Sequence, residues 1–180
     1  MASFDEYRER VESVLASLAI SPNAFAGRAL TLCQEPEILV IAEIGPGGSE
    51  HLLVPAAADA WRAMRAAALA DGMELRIVSA FRGLDRQAEI VRRKLARGLS
   101  LEEILAVSAP PGYSEHHTGR AVDVGMDGAA QLELGFGQTP AFRWLSENAN
   151  SFSFFLSFPA GNPHGFVYEP WHWCFKTELA

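Results

Sequence analysis

The residues able to do chemistry fall in two short segments. His116 and Asp123 lie in Ser114-Glu115-His116-His117-Thr118-Gly119-Arg120-Ala121-Val122-Asp123, and Glu169 and His172 in Glu169-Pro170-Trp171-His172-Trp173. Two imidazoles and one carboxylate are a sufficient protein shell for a catalytic Zn²⁺ whose fourth position holds water. A second carboxylate beside one ligand supplies a base, taking the proton as hydroxide attacks a carbonyl. The combination points to metal-assisted hydrolysis.

Each segment alone is a weak signal. In one regular strand, the seven-residue step from His116 to Asp123 would place them on opposite faces, but Gly119 lies between and can turn the chain. Pro170 holds Glu169 extended and breaks strict alternation, which lets Glu169 and His172 approach one site. Trp171 and Trp173 are expected to wall the site and pack the core. A third cluster, Ser79-Ala80-Phe81-Arg82-Gly83-Leu84-Asp85-Arg86-Gln87, sits where a strand passes into a helix. Arg82 offers a planar fork for a carboxylate and Gln87 an amide, although an isolated arginine is more often a solvated surface charge.

The elements that must carry these groups follow from periodicity. Phe4, Tyr7, Val11, Val14, Leu15 and Leu18 predict an amphipathic helix ended by Ser21-Pro22. A strand over 37–44 and its return over 51–54 predict a hairpin across Gly45-Pro46-Gly47-Gly48. Helix 56–69, strand 75–79, helix 84–96 and a capped short helix from Ser100 to Val107 follow. A strand over 119–124 is expected to put Asp123 on the face away from Val122 and Val124. Helix 139–150 comes next, and residues 166–175 read as a terminal strand pair or one strand interrupted at Pro170.

Composition bounds the partners. A chain of 180 residues with 49% hydrophobic residues supports one domain with a sizeable core. A net charge of −7 offers no basic footprint, so no nucleic-acid partner is expected and the substrate is read as small or peptide-like. No apolar run reaches the roughly 20 residues of a membrane span, and the first residues lack an export pattern, so a cytoplasmic location is expected, with export left open. Cys33 and Cys174 are read as buried free thiols.

The three blocks Ser-x-x-Arg-x-x-x-x-Gln at 79–87, Ser-x-His-x-x-Gly-x-Ala-x-Asp at 114–123 and Glu-x-x-His at 169–172 occur together and in order. Over roughly residues 72–176 the chain resembles the VanY-like zinc D-alanyl-D-alanine carboxypeptidases, related in fold to lysostaphin-type peptidases and the hedgehog signalling domain. The resemblance implies an α+β fold, a central antiparallel sheet flanked by helices with an open zinc cleft. It implies one Zn²⁺ per chain held by His116, Asp123 and His172, with Glu169 as general base. Arg82 takes the place of the arginine that grips the terminal carboxylate, and Gln87 and Ser114 the places of residues that orient the last two units of the peptide. The implied reaction is hydrolytic removal of a terminal D-amino acid from a peptidoglycan stem peptide or muropeptide.

The expected organisation is a single domain over 1–180, with 1–70 a helix and hairpin extension and 72–176 the zinc peptidase core. Cys174 departs from the family pattern, standing where many relatives carry Arg; a thiol beside the metal is conceivable on strand geometry, but the shell is complete without it. His117 reads either as a support of its neighbour or as pointing away. His51 and His164 read as surface histidines, and Glu115, Arg120 and Asp127 as a charged rim with Glu115 or Arg120 able to tune substrate choice. The rivals are a D,D-dipeptidase, a muropeptide endopeptidase, and a non-catalytic zinc-containing module that binds cell-wall peptide or protein.

Overall fold

A computed structural model describes residues 3–126 and 132–176; Asp127 lies outside the described residues. Helix α1, Phe4–Ser17, starts at a reciprocal cap between Ser3 and Glu6 and buries Tyr7, Val11 and Leu15. Strands β1, Val40–Ile44, and β2, Glu50–Leu53, form an antiparallel hairpin. Helix α2, Pro55–Ala70, leads to β3, Leu75–Ser79, and then to α3, Leu84–Ala96. The short α4, Leu101–Ala106, has its own reciprocal cap from Ser100 and Glu103. After it come β4, Ala121–Met126, α5, Pro140–Asn148, β5, Phe154–Leu156, and β6, His172–Phe175.

The main sheet is antiparallel throughout, in the order β3-β4-β6-β5. One apolar cluster joins it to the hairpin, α2 and α5 through Leu53, Trp61, Val122, Val124, Leu145 and Trp173. A second cluster packs α1 against α3 and α4, with Val11, Leu84, Val91 and Ile104 at its centre. Backbone hydrogen bonds from Phe81 to Leu52 and from Val54 to Gly119 stitch the hairpin to the segments that carry the motif residues. The α+β architecture with a central antiparallel sheet matches the expectation. No helix among the described residues is long and apolar enough to cross a membrane.

Two expectations near the C-terminus need correction. Only His172–Phe175 is strand within 166–175, because the free edge of β6 is taken by β5, a three-residue strand too short to announce itself in the run Ser-Phe-Ser-Phe-Phe-Leu. The preceding backbone bonds elsewhere, Val167 N–H to the Ala106 carbonyl and Glu169 N–H to the Phe158 carbonyl. Second, Glu169 and His172 are brought together by a reverse turn, His172 N–H donating to the Glu169 carbonyl at 3.1 Å with Pro170 in the position that favours such turns. Broken strand alternation is not needed.

Gly119 is the residue that turns the chain into β4. It ends a 3-10 turn over Glu115–Thr118 in the left-handed conformation, φ 64°, where a Cβ would stand 2.8 Å from a Leu39 methyl and 3.3 Å from the Val54 amide nitrogen. Strain and overlap act together, so Gly119→Ala should lower unfolding stability by about 1–3 kcal/mol, read as a shift of the urea midpoint at unchanged slope.

Candidate metal centre and cleft

Cross-strand register places the first two groups. Asp123 on β4 and His172 on β6 are directly opposite one another, so both side chains leave the same face, while the alternate pair Val122 and Trp173 enters the core. His116 arrives from the 3-10 turn before Gly119. One ligand atom from each of His116, Asp123 and His172 lies within 4.8 Å of the others, and all three residues are buried.

Proton accounting tests whether a cation fits. His116 Nδ1 donates to the Ala80 carbonyl at 2.7 Å, which leaves Nε2 as a lone pair in the neutral ring. That lone pair faces Asp123 Oδ2 at 3.2 Å. Burial lowers the His116 pKa against the opposing pull of Asp123, favouring the neutral ring. Two lone pairs therefore face each other in the interior, an arrangement that a bound cation turns from repulsive to attractive.

His172 repeats the geometry with the ring nitrogens exchanged. Its Nε2 hydrogen-bonds Glu115 Oε2 at 3.0 Å and its Nδ1 faces Asp123 Oδ1 at 3.0 Å. Burial works against charge on this ring, but hydrogen bonds to Asp123 and Glu115 outweigh it and raise its pKa to about 10. Without a cation, the proton on Nδ1 answers Asp123; a metal there takes its place. Burial pushes the Glu115 carboxyl up, yet His172 holds it down to about 2, so it is an anion throughout the working range. The ring is also stacked on Phe158, centroids 4.5 Å apart.

Glu115 is therefore more than the rim charge expected of it. Its side chain is 24% exposed and orients a metal-site histidine, the carboxylate–histidine arrangement that fixes ring tautomer and direction. His117 is fully buried and supports the cleft wall at Arg82: its Nδ1 donates to the Arg82 carbonyl and its Nε2 accepts from the Gly112 amide at 3.0 Å. His164 is half-buried, its Nδ1 2.7 Å from the Ala29 carbonyl and its ring against Phe158. Cys174 is buried and stands outside the three-residue cluster.

Arg82, Gln87, Ser114, His116, Asp123, Glu169 and His172 all line one cleft of about 360 Å³. Arg82 follows a bulge between Ile77 and Ser79, and its N–H donates to the His116 carbonyl at 3.3 Å. Helix α3 starts just beyond it, with Glu35 accepting from the Leu84 N–H at 2.6 Å in place of a local cap. Arg82 Nε is buried with no protein partner, and so is Gln87 Oε1, whose amide nitrogen donates to Ala109 at 2.8 Å. Both residues line the cleft, and each keeps one buried polar atom unpaired. Burial raises the Glu169 carboxyl to about 7, His172 pulling the other way, so this group gives and takes a proton near neutrality.

A family model described as VanY, D-alanyl-D-alanine carboxypeptidase, matches residues 48–178. This chain belongs to the VanY family. Among curated relatives, YodJ of Bacillus subtilis is 34% identical over 145 residues, 77% of this chain and 53% of its own. A D-alanyl-D-alanine carboxypeptidase of Enterococcus faecalis is 33% identical over 117 residues, 59% of this chain and 42% of its own. The chain thus spans about half the length of these VanY relatives. The LD-carboxypeptidase LdcB is similar in structure, with a TM-score of 0.71, 31% identity, and coverage of 81% of this chain and 71% of that one. VanYB in complex with D-alanine-D-alanine gives 0.63 at 28% identity over 81% of each chain. A VanY D,D-pentapeptidase in complex with Zn(II) gives 0.59 at 25% identity, over 79% of this chain and 85% of that one.

Two outcomes check the site. Glu115→Ala should weaken zinc binding about 10–100-fold with Glu115→Gln intermediate, measured by competition with a chromophoric chelator. His117→Ala should cost about 2–4 kcal/mol by leaving the Gly112 amide and Arg82 carbonyl unpaired beside a cavity. Because burial lowers the His117 pKa to about 4, its contribution is complete above the unfolded value near 6.5 and is lost as pH falls towards 4. Urea titrations of chelated protein at pH 7.5 and 4.5 should show a smaller pH-dependent loss in the variant.

Proposed function

We propose that this chain is a zinc-dependent carboxypeptidase that removes the terminal D-amino acid from short peptidoglycan-type peptides. The observation that carries the reading is the buried cluster of His116, Asp123 and His172, with His116 and Asp123 lone pairs facing each other, in one cleft with Glu169, a carboxyl raised to about 7. Zinc, held by His116 Nε2, an Asp123 oxygen and His172 Nδ1, would polarise the scissile carbonyl and lower the pKa of water. The other roles belong to the chain itself. Glu169 takes a proton from the attacking water on its carboxylate and returns it to the leaving amine nitrogen. Arg82 grips the terminal carboxylate, and Gln87 and Ser114 orient the last two units of the peptide. Family membership supports this assignment of roles.

The likeness to LdcB favours a second reading within the class, in which the residue before the scissile bond is L rather than D. We also read residues 1–180 as one working domain, in which 1–70 is an extension and 72–176 the zinc peptidase core; Leu53 and Trp61 share a core cluster with Val122 and Trp173.

The test is release of D-alanine from a pentapeptide ending in D-Ala-D-Ala and from the tetrapeptide left by its removal. Zinc-loaded protein should release D-alanine from at least one, and chelation should abolish release. Glu169→Gln should keep zinc and lower kcat by about 10²–10⁴-fold, the scale of a lost general base. Cleavage of free D-Ala-D-Ala alone would make the protein a dipeptidase, cleavage of cross-linked muropeptide alone an endopeptidase. Zinc-loaded protein that binds these peptides without turnover, identically in Glu169→Gln, would be a binding module.

A further inference from the structure

Helix α3 presents more to the cleft than the motif residue Gln87. Gln87, Ile90 and Lys94 follow at three- and four-residue steps, so they share one helix face, and all three line the cleft. Seven residues of helix rise about 10.5 Å, the length of roughly three extended peptide residues. A peptide lying along this wall with its last units at Arg82 and Gln87 therefore passes Lys94 about two or three residues upstream.

Lys94 is half-buried, and its Nζ donates to Ser108 Oγ at 2.7 Å. Among the described residues it forms no ion pair with a carboxylate, and neither does Arg82. This is notable in a chain with 22 acidic and 15 basic residues, where surface cations such as Arg10, Arg62 and Arg86 do find partners, Asp85, Asp59 and Glu89. Glu169 on the same cleft acts on both Lys94 and Arg82 through space but pairs with neither, so the partly desolvated ammonium keeps no contact counter-ion, a costly arrangement unless something else supplies the charge. Two other residues of the same wall, Arg82 and Gln87, each keep a buried polar atom unpaired. Ile90 and Val107 leave an apolar stretch beside Lys94, suited to the carbon skeleton of an intervening residue.

We propose that Lys94, held by Ser108, forms a second anion subsite, so that the cleft selects peptides carrying two carboxylates, the terminal one and another on an upstream residue. This rests on the carboxypeptidase reading. It adds a specificity-determining residue outside the three motifs and names the substrate class as dianionic.

The experiment uses two peptides that differ only in the upstream carboxylate, free in one and amidated in the other. Zinc-loaded wild-type protein should favour the free acid about tenfold or more in kcat/KM, mostly through KM, as a charged hydrogen bond implies. Lys94→Met should bring the ratio towards one, and Lys94→Arg should restore it. Equal use of both peptides by the wild type would overturn the proposal. So would an equal loss on both peptides in Lys94→Met with the ratio intact, which would mean that Lys94 acts on Glu169 or on packing. If neither peptide is cleaved, the carboxypeptidase reading fails by itself. Calorimetric binding of the same pair to zinc-loaded Glu169→Gln then decides the subsite: a tenfold preference for the free acid supports it and equal Kd values refute it.

Discussion

The cleft is organised around a conflict of lone pairs. His116 has spent its only proton on the Ala80 carbonyl, and what it offers Asp123 across 3.2 Å is an acceptor facing an acceptor. In water such an encounter would be relieved by solvation, but both groups are buried. A divalent cation is the economical solution because it satisfies His116, Asp123 and His172 at once. Much of the surrounding backbone is arranged to hold this conflict in place until metal arrives.

That arrangement is shared between regular and irregular structure. The β4-β6 register delivers Asp123 and His172 as a facing pair; a one-residue slip of β6 would turn His172 into the core and leave Asp123 alone on the cleft face. Irregular elements supply the rest. The bulge in β3 precedes the Ala80 carbonyl that sets the His116 tautomer, and the Pro170 turn puts Glu169 three residues from His172 yet on the same cleft wall. Rigid strands carry Asp123 and His172, while turns with few alternative conformations carry His116 and Glu169.

This division explains what could be read in advance. That His116, Asp123, Glu169 and His172 share one cleft was legible because few residue types do such chemistry and three spaced blocks occur together. Helix α3 and strand β3 were legible to the residue because period and flanking glycines agree. β5 was hidden by its brevity and its uniform run of Phe, and the turn at Pro170 looked like a broken strand because both place proline similarly. Glu115 was invisible for a different reason: an acid beside a histidine has no spacing that reveals a partner 57 residues away, and only the fold brings it to His172 Nε2. Lys94 was overlooked because a lysine in an arginine-rich helix ordinarily belongs to a solvated face.

The 3-10 turn over Glu115–Thr118 does the most with the fewest residues. With three residues per turn, successive side chains point in three directions, and here each direction has a task. Glu115 reaches His172, His116 reaches the metal position and Ala80, and His117 reaches the Arg82 carbonyl and the Gly112 amide. The backbone adds a fourth link, the Arg82 N–H to His116 carbonyl bond. The geometry of the candidate metal cluster and the placement of Arg82 are consequently not independent, since displacing this turn moves His116, the Glu115 support of His172 and the Arg82 backbone together. Energetic effects of changes at Glu115, His117 and Arg82 must therefore be non-additive, coupled through one short segment rather than through the sheet.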